Sequence, residues 1–142
     1  DLITAYYQRL TSPDRAVRQT AARAWSVWEA STSRLVQDPT LMAKFGTDEF
    51  ADAFARIECH YFVNKGFLES EDQLLRGVDR IRHLPAVIVQ GRYDVVCPMT
   101  TAWELHRTWP EADFIVVPDA GHSMSEPGIQ TALLEATDRF AN

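Results

Sequence analysis

Two short runs of apolar, β-branched residues in the second half of the chain most constrain what it can fold into. Ala86–Val89 and Phe114–Val117 each predict a buried strand, and a helical pattern over Met99–Trp109 separates them. A closing helix is predicted over Pro127–Phe140. Strands that alternate with helices form parallel βαβ units whose faces are both covered. The pattern predicts an α/β fold with an incomplete parallel sheet, and we expect the other strands in chain outside this sequence or in a partner.

The first half of the chain predicts helices only. Apolar residues recur at helical spacing around Trp25 and again over Phe50–Tyr61, and a last helix is predicted over Glu71–Arg82. The composition then changes at the first predicted strand. We therefore predict a helical cap domain over residues 1–83, used for substrate recognition, and an α/β part over residues 84–142.

Charge and composition exclude several classes of function. The 142 residues carry a formal net charge of -6, which argues against a nucleic-acid partner. No apolar run approaches the roughly 18 residues of a membrane span, and no signal-peptide pattern is present. The cysteines Cys59 and Cys97 imply neither a disulfide framework nor a zinc site and suit a reducing, cytoplasmic compartment. Because Asp1 already lies in a helical pattern, we expect the sequence to be the later part of a longer protein.

Polar side chains follow both predicted strands. Asp94 lies in the segment Gly91–Pro98 after the first strand, and His122 lies in Pro118–Ser123 after the second. Functional residues of open parallel sheets cluster just past the carboxyl ends of the strands. Taken singly, Asp94 could be a turn or helix-capping residue and His122 a solvated loop histidine. Their shared position favours a catalytic pair, in which the carboxylate fixes the imidazole tautomer.

The same two loops carry a family resemblance. Gly91–Pro98 and Asp119–Ser123 look like the acid and histidine loops of the α/β-hydrolase superfamily, and specifically resemble those of proline iminopeptidases (prolyl aminopeptidases). Ala24–Glu29 and Ala55–Phe62 resemble the helical cap of that family. The resemblance runs over essentially the whole chain, in order. It implies the C-terminal portion of an α/β-hydrolase fold with an all-helical cap.

The resemblance also implies roles for individual residues. Asp94 would be the acid of the catalytic triad and His122 its general base. Glu29 and Glu58 would bind the free amino terminus of the substrate, and Phe62 would line the proline pocket. The expected substrate is a peptide with a free N-terminal proline. No metal or organic cofactor is implied, and the charge and apolar pattern predict no nucleic-acid and no membrane partner.

The two glutamates stand out in the sequence itself. Glu29 lies four residues after Trp25, and Glu58 lies four residues before Phe62. Because residues four apart share a helix face, each carboxylate lies on or beside an aromatic face, where a charge is costly unless it is paired. An ammonium group bound between two carboxylates would compensate. The alternative is that each glutamate faces water or pairs with a nearby arginine such as Arg34 or Arg56.

The sequence contains no credible candidate for the nucleophile. In an α/β-hydrolase the serine precedes the acid and lies in a Gly-x-Ser-x-Gly motif, which does not occur in these 142 residues. Ser123 neighbours the base in the chain instead of facing it, and Cys97 is predicted to be a small buried apolar residue. We expect the chain alone to be inactive, with the serine and the oxyanion-hole loop in the missing N-terminal part of the same enzyme.

Two other functions remain open. An α/β-hydrolase could instead act on an ester, epoxide or lactone, and comparing a proline arylamide with a neutral ester would separate the two substrates. A non-catalytic helical binding module with a short α/β tail is the alternative from another class. The paired glutamates favour the peptide substrate, and the two-stranded sheet argues against the binding module.

Overall fold

The computed structural model describes residues 1–141, which form two compact units. The first unit comprises Asp1–Ser31 and Gln37–Ser70. The second unit comprises Thr32–Val36 and the chain from Glu71 onward. Residues 71–83 thus belong to the same unit as the strands. The substrate-recognition role assigned to a domain over residues 1–83 stays a prediction. Within residues 1–141, no helix combines the length and apolar composition needed to cross a bilayer.

The first unit contains four α-helices and a 3-10 turn over Lys65–Phe67 within the described residues. The α-helices are α1 (Leu2–Leu10), α2 (Arg15–Thr32), α3 (Pro39–Phe45) and α4 (Asp48–Val63). Local sequence explains the shortest helix: the Asp38 carboxylate accepts hydrogen bonds from the amides of Thr40 and Leu41, at 2.9 and 3.1 Å. A side-chain oxygen at this position satisfies amides that have no partner within the helix. Gly46 then ends α3.

Small side chains form most of the core of the first unit. Its buried residues are Leu10, Ala21, Ala22, Trp25, Ala51, Ala55 and Cys59. The alanines on α2 and α4 contribute only small side chains to this core. The indole of Trp25 is its largest group. Trp25 is only 7% exposed, so packing fixes the position of its ring and of the ring N–H donor.

The second unit contains the predicted βαβ arrangement. Its main elements are β1 (Val87–Gly91), α6 (Met99–Thr108), β2 (Asp113–Val117) and α7 (Pro127–Phe140). The strands are parallel, and Val87 pairs with Asp113 at one end and Gly91 with Val117 at the other. The predicted α/β fold with an incomplete parallel sheet is confirmed. Most strand residues are half-buried instead of buried, because within the described chain each strand has only one neighbour.

The helix predicted over Glu71–Arg82 is wrong. The structure has one helical turn, α5 (Gln73–Arg76), followed by a 3-10 turn over Val78–Arg80. Gly77 separates the two, and its amide donates to the carbonyl oxygens of Gln73 and Leu74. Glycine disfavours a continuous helix because it loses the most backbone freedom on folding.

Candidate active site

The loop after β1 holds Asp94 in a tight turn. The Asp94 Oδ1 atom accepts hydrogen bonds from the amides of Val96 and Cys97, at 3.0 and 2.8 Å. The side chain is only 6% exposed. Asp94 is therefore a turn residue, as one interpretation of the sequence had it, but the turn uses only one carboxylate oxygen and leaves Oδ2 for another partner.

That partner is His122. The His122 Nδ1 atom lies 2.9 Å from Asp94 Oδ2, and the imidazole is 39% exposed. The structure thus brings the predicted acid and base together. With Nδ1 engaged by the carboxylate, Nε2 is the ring nitrogen left to exchange a proton with another group. The geometry is that of an acid–base pair in which a buried carboxylate orients a solvent-accessible imidazole.

Backbone contacts hold the two loops against each other. The amide of Arg92 donates to the carbonyl oxygen of Val117 at 2.9 Å, and the amide of Tyr93 donates to that of Ala120 at 3.0 Å. Gly91 lies directly against the backbone of Gly121 and has no room for a Cβ atom. The end of β1 can therefore approach the histidine loop only because residue 91 is glycine.

Gln90 is a part of the site that sequence reasoning missed. Its Nε2 donates to Asp94 Oδ2 at 3.3 Å and to the carbonyl oxygen of Cys97 at 3.0 Å. Together with the two backbone amides and His122, this contact surrounds the Asp94 carboxylate with donors, which stabilise negative charge. The sequence does offer one indication of this role: Gln90 is a single amide side chain near the end of an otherwise apolar strand.

The two cysteines occupy opposite environments. Cys97 lies exposed in the acid loop, so the prediction that it is a buried apolar residue is wrong. It is exposed because the turn around Asp94 needs its backbone amide and not its side chain. Cys59 is buried in α4, and burial, followed by the nearby charge of Glu58, raises the pKa of its thiol above the ordinary value of 9.0.

Glu58 binds an indole instead of an arginine. Its Oε2 accepts a hydrogen bond from Trp25 Nε1 at 2.6 Å. Arg56, one of the two arginines considered as alternative partners, lies 3.5 Å from Asp52. The Trp25 ring in turn contacts Phe62, with 5.9 Å between ring centroids. Glu58 and Phe62 therefore both contact the same buried tryptophan.

A hollow of about 390 Å³ opens in the first unit beside this tryptophan. Its lining comprises Leu2, Ile3, Tyr6, Ala24, Trp25, Trp28, Glu29 and Phe62. Glu29 is the only ionisable carboxylate in an otherwise largely aromatic and aliphatic wall, and Glu58 is joined to that wall through its bond to Trp25. Such a surface can hold a small apolar ring that carries a cationic nitrogen.

Comparison with known proteins gives matches over almost the whole chain. A "Probable proline iminopeptidase" of Leptolyngbya boryana is 69% identical over 140 residues, which are 99% of this chain and 44% of that protein. A "Proline iminopeptidase" of Xylella fastidiosa is 56% identical over 140 residues, covering 99% and 45%. One from Arabidopsis thaliana is 52% identical over 139 residues, covering 98% and 37%. The chain spans less than half the length of these relatives.

A family model agrees with these matches. The model described as TAP-like protein, one of the α/β-hydrolase models, matches residues 50–141, which include both the β1 and β2 loops and the end of the helical unit. The resemblance to proline iminopeptidases inferred from the loops and helices is confirmed. From its sequence, its parallel sheet and its match to this model, the chain belongs to the TAP-like family of α/β-hydrolases.

Proposed function

We propose that this chain supplies the acid, the general base and the amine-recognition residues of a serine-type aminopeptidase that releases N-terminal proline from peptides. The contact between His122 Nδ1 and Asp94 Oδ2, at 2.9 Å, carries the proposal. It is supported by the names of the relatives, which are proline iminopeptidases. We also propose that the enzyme works in the cytoplasm, because its two cysteines imply no disulfide framework and suit a reducing compartment.

The proposed chemistry uses the histidine as a proton carrier. A serine outside these 142 residues attacks the carbonyl carbon after the N-terminal proline, and His122 Nε2 takes the serine proton. The same nitrogen then gives that proton to the leaving amine, which releases the rest of the peptide and leaves the proline as an ester on the serine. A water molecule, whose proton His122 Nε2 takes, attacks this ester, and the proton then passes to the serine oxygen as free proline leaves. Asp94 does not exchange a proton in this scheme; it keeps the Nδ1–H tautomer in place and stabilises the imidazolium.

The proposed recognition uses the helical unit. Glu29 and Glu58 bind the proline nitrogen, and Phe62 contacts the pyrrolidine ring. The hollow beside Trp25 supports this assignment, because it combines aromatic walls with a carboxylate and its volume suits a small ring. A requirement for a free amino terminus follows, since a blocked nitrogen carries no charge to pair with a carboxylate.

The 142-residue chain alone is proposed to be inactive. The Oγ of Ser123 lies 2.8 Å from the Oγ of Ser125, so this hydroxyl is engaged within its own loop. Proline release by the purified chain, lost in His122→Ala, would contradict the proposal.

A chimera tests the function directly. This chain would replace the 140 matching residues of the Leptolyngbya boryana relative, which are 69% identical. We expect the chimera to hydrolyse proline p-nitroanilide and to lose that activity in His122→Ala. A chimera that hydrolyses a neutral ester efficiently but not the proline anilide would favour the ester-type function instead.

A further inference from the structure

Glu126 is a buried carboxylate that the proposed chemistry does not use. It is 7% exposed and directly precedes α7. Its Oε1 accepts the amide of Gly121 at 2.8 Å, and its Oε2 accepts the amide of Leu35 at 3.2 Å. A buried carboxylate is costly unless it accepts hydrogen bonds, and here two backbone amides supply that compensation. One side chain thus joins the histidine loop to the segment Thr32–Val36.

The same segment holds the histidine itself. The carbonyl oxygen of Ser33 accepts the amides of both His122 and Ser123, at 3.1 and 2.7 Å. Three consecutive amides of the loop, from Gly121 to Ser123, therefore donate to two acceptors: Glu126 and Ser33. The amide of Glu126 donates back to the carbonyl oxygen of Ser123 at 3.0 Å and closes the ring of contacts.

The packing at Gly121 shows how close this contact is. A Cβ atom on Gly121 would lie 2.9 Å from the amide nitrogen of Leu35 and 3.2 Å from Glu126 Oε1. The loop can therefore reach Leu35 and Glu126 only with a glycine beside the histidine.

We propose that Glu126 is a positioning residue, which locks the histidine loop onto Thr32–Val36 and thereby aims the His122 imidazole at Asp94. The group formed by the Glu126 carboxylate and the amides of Gly121 and Leu35 is called the Glu126 clamp. This role rests on the proposed function, since it matters only if His122 is the base. Glu126 itself need not contact the substrate.

The isosteric variant Glu126→Gln removes half of the clamp. A glutamine presents one acceptor oxygen and an NH₂ group, so either Gly121 or Leu35 must face a donor. We expect the loop to shift and His122 to lose its alignment with Asp94. Glu135→Gln, an exposed position on the same helix, is the matched control.

The readout is the tautomer of neutral His122 in the 142-residue chain, from ¹⁵N chemical shifts. We expect the Nδ1–H form in the unsubstituted chain and in Glu135→Gln. The Nδ1–H fraction should fall in Glu126→Gln toward its value in Asp94→Asn. If the unsubstituted chain lacks the Nδ1–H form, the acid–base pair and the proposed function fail. If only Asp94→Asn changes the tautomer, the clamp alone is refuted.

Hydrogen exchange tests the clamp without any substitution, and so covers the case in which Glu126→Gln does not fold. The amide of Gly121 should exchange about fivefold or more slowly than that of Met124, which has no hydrogen-bond acceptor among the described residues. Equal rates would overturn the proposal. In the chimera, Glu126→Gln should lower kcat by about 10²-fold with KM little changed, as expected when a reacting group is misplaced.

Discussion

Gly91 at the end of β1 lies against the backbone of Gly121, the residue that precedes His122. The two loops of the candidate site therefore contact each other through the backbone of these glycines. They contact each other again through the side chains of Asp94 and His122. The distance between acid and base thus depends on two glycines that carry no chemistry of their own.

The first prediction concerns this contact. Gly91→Ala places a Cβ atom against the carbonyl oxygens of Ala120 and Gly121. We expect it to destabilise the chain by about 2 kcal/mol, the typical cost of overpacking a close contact. Thermal unfolding followed by circular dichroism measures this cost. Gly77→Ala is the control, because its Cβ would meet nothing nearer than 3.3 Å, and a similar loss there would refute the argument.

Much of the site could be predicted because its main residues follow strands directly. Two apolar runs separated by a helix were enough to bring Asp94 and His122 to the same sheet edge. The supporting contacts could not be found in this way: Leu35 and Glu126 are 91 residues apart, and neither lies in a pattern that indicates the other. Nor could the exposure of Cys97 be predicted, because it follows from the turn that Asp94 imposes.

The second prediction concerns the acid. In the chimera, Asp94→Asn should lower kcat by about 10⁴-fold, because an asparagine can hold the imidazole in the wrong tautomer. Asp119→Asn, an exposed position in the loop after β2, is the control and should leave kcat nearly unchanged. Steady-state kinetics on proline p-nitroanilide provide the measurement. Near-normal turnover in Asp94→Asn would remove this residue from the mechanism.

The third prediction concerns amine recognition. Glu58→Gln in the chimera should lower kcat/KM for proline p-nitroanilide by about 10- to 100-fold, the scale of a lost charge-assisted hydrogen bond. A neutral ester without an amine should be affected far less. Glu49→Gln, an exposed position on α4, serves as the control. Equal losses on the two substrates would show that Glu58 supports the fold and does not bind the amine.

The fourth prediction concerns Trp25, which donates its indole N–H to Glu58. Trp25→Phe keeps an aromatic ring in the core but removes that donor, so Glu58 would lose the contact that orients it. We expect a loss on proline p-nitroanilide in the same direction as in Glu58→Gln. In the double variant the two losses should not add, because both act on one contact. Additive losses would mean that the indole and the carboxylate act independently.

The fifth prediction concerns the thiols. A thiolate is the reactive form, and the raised pKa of Cys59 leaves less thiolate at any pH below that pKa than an ordinary cysteine has. Burial further blocks access to Cys59, whereas Cys97 is exposed. Iodoacetamide at pH 8 should therefore label Cys97 first and Cys59 only after denaturation, as peptide mass spectrometry would reveal. Rapid labelling of Cys59 in the folded chain would contradict its burial in the core of the first unit. Since the Cys97 amide binds Asp94, we also expect labelled chimera to lose activity, and Cys97→Ser to resist that loss.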